Sequence, residues 1–413
     1  MIDLPEAISL IEKNAAPLPP RWTRLLDACG RELAAPVVSD VDSPPWDRAM
    51  MDGFALRGDD VIAARDGVLE LDVVVDLAAG DVTTLEIKPG SCARIMTGAP
   101  IPAGADAVIP VECAVDETRG VHAGAKVRLR DDKFRPGQHI ARQGAAFRRG
   151  QQVLAAGMTL GAAEIGLAAE AGATHVVAAP QVRVAILSTG SELVPTDEVP
   201  AFGQTRNSNG PMLSAAVKLL GGEPIPLGIA PDRPEAIRAA VAQGLAADVL
   251  VLSGGVSAGD LDLVPEIFRL CGVEKIFHKV KLKPGKPVFF GVLPREQSPP
   301  TLVFGLPGNP ASSLVCFDLF TRPAIQILAG AAREYWHLPR GRARLTAPAK
   351  AAPDRPVYLP CTLARTSHGI DATPLPWTGS SDLLGLAGAG GMIALPASGT
   401  RFEAGDDVEI VIK

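Results

Sequence analysis

Residues 248–262 read DVLVLSGGVSAGDLD, and this stretch indicates the fold class most clearly. Its opening run, 248–252, is short and apolar, which is typical of a strand buried on both faces of a parallel sheet. The glycine- and serine-rich segment after it cannot continue such a strand. Apolar strand-length runs alternate with helix-length segments on both sides of it. The sequence therefore predicts a doubly wound α/β domain over 181–330.

The predicted strands and helices of this domain place three loops at one edge of the sheet. In an open α/β sheet, ligands bind beyond the carboxyl ends of the strands. The loops 188–193, 253–262 and 305–310 each follow a predicted strand, so we expect a binding site there. The predicted strands are 182–187, 225–229, 248–252 and 301–304, and the predicted helices are 211–220, 234–245, 263–270 and 309–329.

The second of these loops carries the most chemical information. Its glycines allow close approach of backbone N–H groups to an oxyanion, and two aspartates could hold Mg²⁺ on the same phosphates. The alternative is a tight turn in which Asp262 caps the next helix. The loop has neither a Walker ending nor a dinucleotide fingerprint. The candidate residues are Ser253, Gly254, Gly255 and Ser257 for the anion, and Asp260 and Asp262 for the metal.

A lysine-containing turn, Lys283-Pro284-Gly285-Lys286-Pro287, is a second candidate anion site. Prolines restrict the backbone, so the ammonium groups of Lys283 and Lys286 are partly preorganised for an oxyanion. A solvated turn with unrelated charges is the alternative. The third loop adds Asn309 as a further polar candidate.

The remaining regions have different patterns. An amphipathic helix is predicted over 4–14 with Asp3 as N-cap, followed by a short helix and an extended piece within 21–43. Short β-branched segments favour an inserted all-β domain over 46–145, whereas 331–413 favours a small C-terminal β-barrel. We expect 1–45 and 146–180 to form one discontinuous, elongated N-terminal region. The strands predicted in the inserted domain are 69–75, 83–87, 107–111 and 126–129, and a helix is predicted over 160–171.

Composition excludes several classes of function. The net charge of −6 is spread without a basic stripe, which argues against a nucleic-acid partner. Six cysteines without a close pair suit neither a zinc or iron–sulfur site nor a disulfide framework. No apolar stretch reaches the roughly 20 residues that span a bilayer, and the acidic start does not read as a signal peptide. We therefore expect a cytoplasmic protein that contacts no membrane.

Two further segments carry a resemblance to a known family. Residues 49–55 read AMMDGFA and 96–108 read MTGAPIPAGADAV. Alone, Asp52 could form an Asx turn and Thr97 could be a strand-end hydroxyl. Together with the loops above, in the same order, they resemble the signatures of the MoeA and gephyrin E-domain family. The resemblance runs from about residue 2 to 413.

The resemblance implies a fold and an activity. The α/β domain is similar to the smaller MogA-type molybdopterin adenylyltransferases. The implied reaction inserts molybdenum from molybdate into adenylylated molybdopterin, with Mg²⁺-dependent release of AMP, in molybdenum cofactor biosynthesis. The implied assembly is a homodimer with its active site at the subunit interface, and molybdopterin adenylyltransferase and molybdoenzyme maturation proteins are expected partners.

Site residues carry over by position. The family's acidic and hydroxyl active-site positions match Asp52, Thr97, Glu192, Asp232 and Asp262, and its molybdate-binding positions match Lys283, Lys286 and Ser380.

Three departures from the family pattern keep alternatives open. Gly144-Ala145-Ala146 stands where the family has Gly-Glu-Asp, and Ser191 replaces an aspartate. An arginine expected near Pro360 is absent, with Arg365 as a possible substitute. A catalytically weakened MoeA-like paralogue, acting as a pterin-binding or scaffold protein, is therefore a second hypothesis. A nucleotide hydrolase that uses only the α/β domain is a third.

Overall fold

The computed structural model describes residues 1–64, 67–116, 121–256 and 263–413. The predicted site residues Ser257, Asp260 and Asp262 lie outside the described residues. Two compact units are present. The α/β unit comprises Met1–Trp22, Gly30–Ala34 and Val177–Lys413, and the β unit comprises Thr23–Cys29 and Ala35–Val176. Residues 1–22 thus group with the α/β domain, which differs from their predicted grouping with 146–180.

The first half of the chain contains one amphipathic helix and many short strands. Their bounds are α1 Leu4–Asn14, β1 Arg21–Arg24, β2 Val37–Val38, β3 Arg48–Ala49, β4 Gly53–Leu56, α2 Gly58–Ala63, β5 Leu69–Leu77, β6 Ser91–Ile95, β7 Ala107–Pro110, β8 Lys126–Leu129, β9 Ile140–Ala141, β10 Gln152–Leu154, α3 Ala162–Glu170 and β11 His175–Ala178.

The β unit is built on a five-stranded sheet in the order β7-β4-β6-β5-β8. β5 and β6 run parallel, and the other neighbouring strands run antiparallel. Alternate residues of these strands enter two separate clusters, one with Ala55 and Ile95 and the other with Phe54 and Leu71. Period-2 alternation of this kind is what predicts strands, and the inserted β domain is confirmed.

Two local predictions in the first half of the chain are wrong. The short helix expected after residue 21 is a strand followed by a single 3-10 turn, Leu26–Ala28. The strand expected at 83–87 is not formed among the described residues. Ile87 is instead buried, and its N–H donates to Ala103 O at 2.7 Å, so a tertiary contact overrides the local β-propensity.

The second half alternates strands and helices and ends in a barrel. The bounds are β12 Arg183–Thr189, β13 Leu193–Val194, β14 Thr205–Arg206, α4 Asn209–Leu219, β15 Glu223–Ala230, α5 Pro234–Gly244, β16 Val249–Ser253, α6 Val264–Leu270, β17 Glu274–His278, β18 Phe289–Leu293, β19 Thr301–Leu306, α7 Pro310–Cys316, a π-helical segment Phe317–Thr321, α8 Arg322–Leu328, β20 Arg340–Leu345, β21 Ala349–Lys350, β22 Val357–Thr366, β23 Gly369–Pro374, α9 Leu384–Ala387, β24 Gly391–Leu395, β25 Arg401–Phe402 and β26 Asp407–Ile412.

The main sheet of the α/β unit has six strands in the order β15-β12-β16-β19-β18-β17. The first four run parallel, and β18 pairs antiparallel with β19 on one side and with the edge strand β17 on the other. Alternating side chains bury both faces. Val251 and Phe304 pack on one side with α1 and α4, and Leu252 and Val303 pack on the other side with α5 and α6. The doubly wound prediction is confirmed, but the sheet is mixed, because β18 runs antiparallel to both of its neighbours. Neither β17 nor β18 was predicted from the sequence.

The C-terminal region forms a closed barrel of β20, β23, β22, β24 and β26, as predicted. Tyr358, Met392 and Val411 of the barrel pack on the core of the α/β sheet, whereas the barrel interior forms an apolar cluster of its own. At the other end of the chain, Asp3 occupies the N-cap position of α1 without a capping hydrogen bond. Its carboxylate pairs instead with Lys281 Nζ at 3.0 Å. Among the described helices, none has the length and apolarity needed to cross a membrane.

Candidate functional site

A cleft of about 850 Å³ opens at the carboxyl ends of β12, β16 and β19. These strands end in register, because Ser188 is paired with Ser253 and Ser253 with Leu306. The loops that follow them therefore emerge side by side. The cleft brings together six of the predicted site residues, Glu192, Asp232, Ser253, Gly254, Gly255 and Asn309.

The floor of the cleft is a buried polar network. Ser188 Oγ donates to Asn207 Oδ1 at 2.9 Å, and Gly210 N–H donates to the same oxygen at 3.0 Å. Asn209 Nδ2 donates to Gly308 O at 2.7 Å. These bonds tie the end of the first strand to the start of α4 and to the third loop. Asn209 Oδ1 is buried and has no hydrogen-bond donor among the described residues.

Gly254 shows why the loop after β16 requires glycine. Its φ is +101°, and a Cβ there would lie 2.4 Å from Thr189 O. Its N–H donates to Leu306 O at 3.1 Å, so the backbone is wedged between two neighbouring strand ends. A backbone without side chains forms this wall of the cleft, which suits close approach by a ligand.

Ser191 and Asp232 hold each other by two reciprocal hydrogen bonds. Ser191 N–H donates to Asp232 Oδ2 at 3.0 Å, and Asp232 N–H donates to Ser191 Oγ at 3.1 Å. The Glu192 side chain folds back over Gly190. A Cβ on that glycine would therefore lie 2.6 Å from Glu192 Oε2. The Asp232 carboxylate, from the loop after β15, is thereby held against the loop after β12 that carries Glu192. Ser191, where the family has an aspartate, contributes an acceptor without a charge.

Asn309 and Ser380 meet although they are far apart in the chain. Asn309 Nδ2 donates to Ser380 Oγ at 2.8 Å, and Ser380 O accepts from Ala311 N–H at 3.1 Å. Asp382 organises the loop, since its carboxylate accepts from Thr378 N–H at 3.0 Å and Gly385 N–H at 3.1 Å. These bonds lower the pKa of Asp382, and the bond from the Thr378 backbone has the largest effect.

The lysine turn, residues 283–287, lies shortly before β18 in the chain. Lys283 N–H donates to Pro356 O at 3.0 Å, which links the turn to the barrel. Gly285, with φ +110°, packs so closely on α7 that a Cβ would lie 2.3 Å from Cys316 Sγ. Both predicted lysines, Lys283 and Lys286, are exposed, and neither forms an ion pair with a carboxylate of the described chain. Pro287, one residue further on, lines the cleft.

Asp52 and Thr97, the other predicted active-site pair, belong to the β unit. Thr97 N–H and Thr97 Oγ both donate to Asp52 Oδ1, each at 2.7 Å. The Thr97 hydroxyl, then its N–H, and more weakly the charge of Arg94 lower the pKa of Asp52. The pair is exposed. An ionised, oriented carboxylate is therefore presented at the surface of this unit.

The Gly144–Ala146 departure also lies in the β unit. Ala145 and Ala146 are exposed on a turn, and their neighbour Gln143 donates its N–H to Asp47 Oδ1 at 2.8 Å. That bond is the main cause of the lowered pKa of Asp47. The turn itself thus offers no carboxylate at the two alanine positions.

Arg365, named as a substitute for the arginine expected near Pro360, lies further along the same strand. Both residues lie on β22, and five residues of strand separate them by about 16 Å. An odd offset also puts their side chains on opposite faces of the strand.

The sequence analysis placed Ser188 in a candidate loop, but it missed the polar residues Asn207 and Asn209 beneath the cleft and Arg206 and Thr205 on its wall. The signal was the run Asn207-Ser208-Asn209 before an apolar helix, because asparagine and serine favour helix starts. Capping alone gives no reason to expect the contact between Ser188 and Asn207, which depends on tertiary placement.

The oxygen donors in the cleft fit Mg²⁺. Glu192 and Asp232 offer carboxylates, and Mg²⁺ typically binds through one or two carboxylates, several waters and substrate phosphates. Across the described ranges, no group of three or more histidine, cysteine, aspartate or glutamate side chains is arranged to hold a metal ion. The part of the chain that the structure describes thus offers a sparse oxygen site instead of a closed protein cage.

Fold and site together define a class of protein, in which an α/β ligand-binding domain carries a C-terminal barrel and a separate β unit. Three family profiles match the chain in sequence. The MoeA N-terminal region (domain I and II) matches residues 2–172, a probable molybdopterin binding domain matches 185–327, and the MoeA C-terminal region (domain IV) matches 342–413.

Individual proteins agree with the profiles. A molybdopterin molybdenumtransferase of Nostoc sp. is 39% identical over 308 residues, covering 74% of this chain and 69% of the relative. One of Bacillus subtilis is 32% identical over 401 residues, covering 95% and 89%. The crystal structure of a molybdopterin biosynthesis MoeA protein from Pyrococcus horikosii superposes with a TM-score of 0.77 at 28% identity, covering 100% of this chain and 99% of that one. The chain belongs to the MoeA family.

Proposed function

We propose that this protein is a molybdopterin molybdenumtransferase, which inserts molybdenum from molybdate into adenylylated molybdopterin and releases AMP. The observation that carries the proposal is the cleft, where Glu192, Asp232, the Gly254 turn and Asn309 meet at the strand ends. The relatives that share the whole chain bear this activity in their names. The proposal includes a cytoplasmic location and a homodimeric assembly.

The residues of the cleft have distinct roles in this proposal. The glycine turn lets the substrate approach the backbone closely, and the lysine turn with Ser380 binds molybdate through two ammonium groups and a hydroxyl. Glu192 and Asp232 orient the water that attacks the phosphoanhydride. Magnesium, when bound, would neutralise charge on the phosphates. In the β unit, Asp52 and Thr97 supply a further oriented carboxylate.

The test is AMP release from adenylylated molybdopterin at fixed Mg²⁺, with and without molybdate. Molybdate-dependent release, together with formation of the metal-loaded pterin, is expected. A folded protein that binds the pterin but releases no AMP would overturn the transferase and favour the weakened paralogue. Lys283→Ala and Lys286→Ala should each raise the KM for molybdate, and Lys350→Ala, at an exposed lysine of the C-terminal region, is the matched control.

Ala146→Asp tests whether the missing carboxylate of the β unit limits the rate. If it does, the substitution increases molybdate-dependent AMP release several-fold while Ala145→Ser, an exposed neutral change beside it, leaves the rate unchanged. Equal rates for Ala146→Asp and the wild type would show that this departure does not limit catalysis.

A further inference from the structure

Arg206 stands out among the residues that line the cleft. It is the one basic side chain among the described lining residues, which also include the carboxylates of Glu192 and Asp232. It is exposed, and within the described residues it forms no ion pair with a carboxylate. A cation that lines a cleft and is not paired with a carboxylate is available for an anionic ligand.

The guanidinium of Arg206 is oriented by one hydrogen bond, which its Nε donates. Arg206 Nε donates to Glu198 O at 2.9 Å, whereas its terminal nitrogens make no hydrogen bond to the described residues. The backbone on either side is also fixed, since Thr205 N–H donates to Glu192 O and Asn207 N–H to Val194 O, both at 2.9 Å. The side chain thus offers a preorganised pair of N–H donors, which match two oxygens of a phosphate group.

The position of Arg206 separates it from the lysine turn. Arg206 lies on the segment after β12, and the lysine turn leads into β18. These strands are three places apart in the sheet. Arg206 lines the cleft, whereas neither Lys283 nor Lys286 is among the residues that line it.

We infer that Arg206 binds the phosphate of the phosphorylated pterin, in an anion subsite separate from the molybdate site of the lysine turn. This assignment rests on the proposed function, because it takes the pterin phosphate as the ligand of the cleft. The two terminal nitrogens of Arg206 donate charge-assisted hydrogen bonds to two phosphate oxygens. The bond from Nε to Glu198 O orients the guanidinium for this contact.

The test measures the KM for adenylylated molybdopterin and the KM for molybdate separately, in the full-length protein. Arg206→Gln should raise the first by about 10- to 30-fold, the usual loss for one charge-assisted hydrogen-bonding group. The KM for molybdate should stay within about two-fold, since no atom of that site is changed. Arg206→Lys keeps the positive charge but loses the pair of guanidinium N–H donors, so an intermediate KM for the pterin is expected.

Two controls separate binding from loss of structure. Arg401→Gln removes an arginine of the C-terminal region that is paired with Glu403 at 2.9 Å, and both KM values should be unchanged. The salt dependence of the KM for the pterin should become weaker in Arg206→Gln, which a disturbed loop would not produce.

The possible failures are distinguishable. Wild-type protein that binds the pterin, with an unchanged KM in Arg206→Gln, would overturn the assignment of Arg206 alone. A raised KM for molybdate with an unchanged KM for the pterin would also overturn it, by placing Arg206 in the molybdate site. Wild-type protein that neither binds the pterin nor releases AMP would overturn the proposed function and this subsite with it.

Discussion

The cleft of the α/β unit and the Asp52–Thr97 pair of the β unit are organised in different ways. The cleft gathers loops from three parallel strands, and buried bonds such as that from Ser188 to Asn207 fix its floor. The pair lies on an exposed surface, and its order comes from two hydrogen bonds to a single carboxylate oxygen. The cleft thus depends on the core beneath it, whereas the pair depends on one neighbour. Substitutions in the two regions should differ accordingly in effect.

Gly254→Ala should have the largest effect. A methyl group 2.4 Å from Thr189 O, at a φ of +101°, forces two strand ends apart. We expect the free energy of unfolding of the α/β unit to fall by about 2 to 4 kcal/mol. Chemical denaturation with AMP release on the same samples measures it.

Gly98→Ala is the matched control in the β unit. Its φ is +87°, but the nearest atom to a new Cβ is Ala79 Cβ at 3.6 Å. Only the backbone strain of a left-handed alanine remains, about 1 to 2 kcal/mol. Equal losses in the two variants would show that steric contact at the strand ends is unimportant.

Glu192→Ala should have the next largest effect, on turnover more than on binding. If the carboxylate orients the attacking water, kcat falls about 100-fold or more while the affinity for the pterin changes little. Steady-state AMP release and direct pterin binding measure the two quantities. Glu198→Ala, whose backbone carbonyl is retained, is the control on the same loop. Equal losses of binding and turnover would instead indicate that Glu192 has a structural role.

The same contrast explains how much the sequence could predict. The buried strands β12, β16 and β19 are short apolar runs, so their positions followed from pattern alone. β17 was missed because Glu274, Lys275 and His278 break the apolar pattern on an edge strand. The Ser188–Asn207 and Ser191–Asp232 contacts were missed because they join separate segments and depend on strand register. The six residues gathered in the cleft were found from loop position and family motif.

Ser191→Ala should have a smaller effect. The substitution removes the oxygen that accepts from Asp232 N–H, but the bond from Ser191 N–H to Asp232 Oδ2 can persist. Asp232 becomes less well oriented, so kcat should fall by about 3- to 10-fold, in line with the loss of one neutral hydrogen bond. Ser191→Thr keeps the hydroxyl and should retain most of the rate. Wild-type kinetics in Ser191→Ala would contradict a positioning role.

Thr97→Val should have the smallest effect, on the titration of Asp52. The hydroxyl of Thr97 is the main cause of the lowered pKa of Asp52, and the N–H of residue 97 remains in the variant. The pKa should therefore rise part of the way towards its ordinary value of 3.8. Carbon-13 NMR of the Asp52 carboxyl group measures it, with Thr83→Val, a threonine that accepts from Leu85 N–H, as control.

The sign of the accompanying stability change follows from that pKa. Because the pKa of Asp52 is lower in the folded protein, the ionised carboxylate stabilises the fold above its unfolded pKa. This contribution is lost as the pH falls through the folded pKa. Wild type and Thr97→Val should therefore differ in free energy of unfolding near neutral pH, by less than about 1 kcal/mol because the pair is exposed, and converge in acid. A difference that grows in acid would mean that Thr97 stabilises the protein through something other than the charge of Asp52.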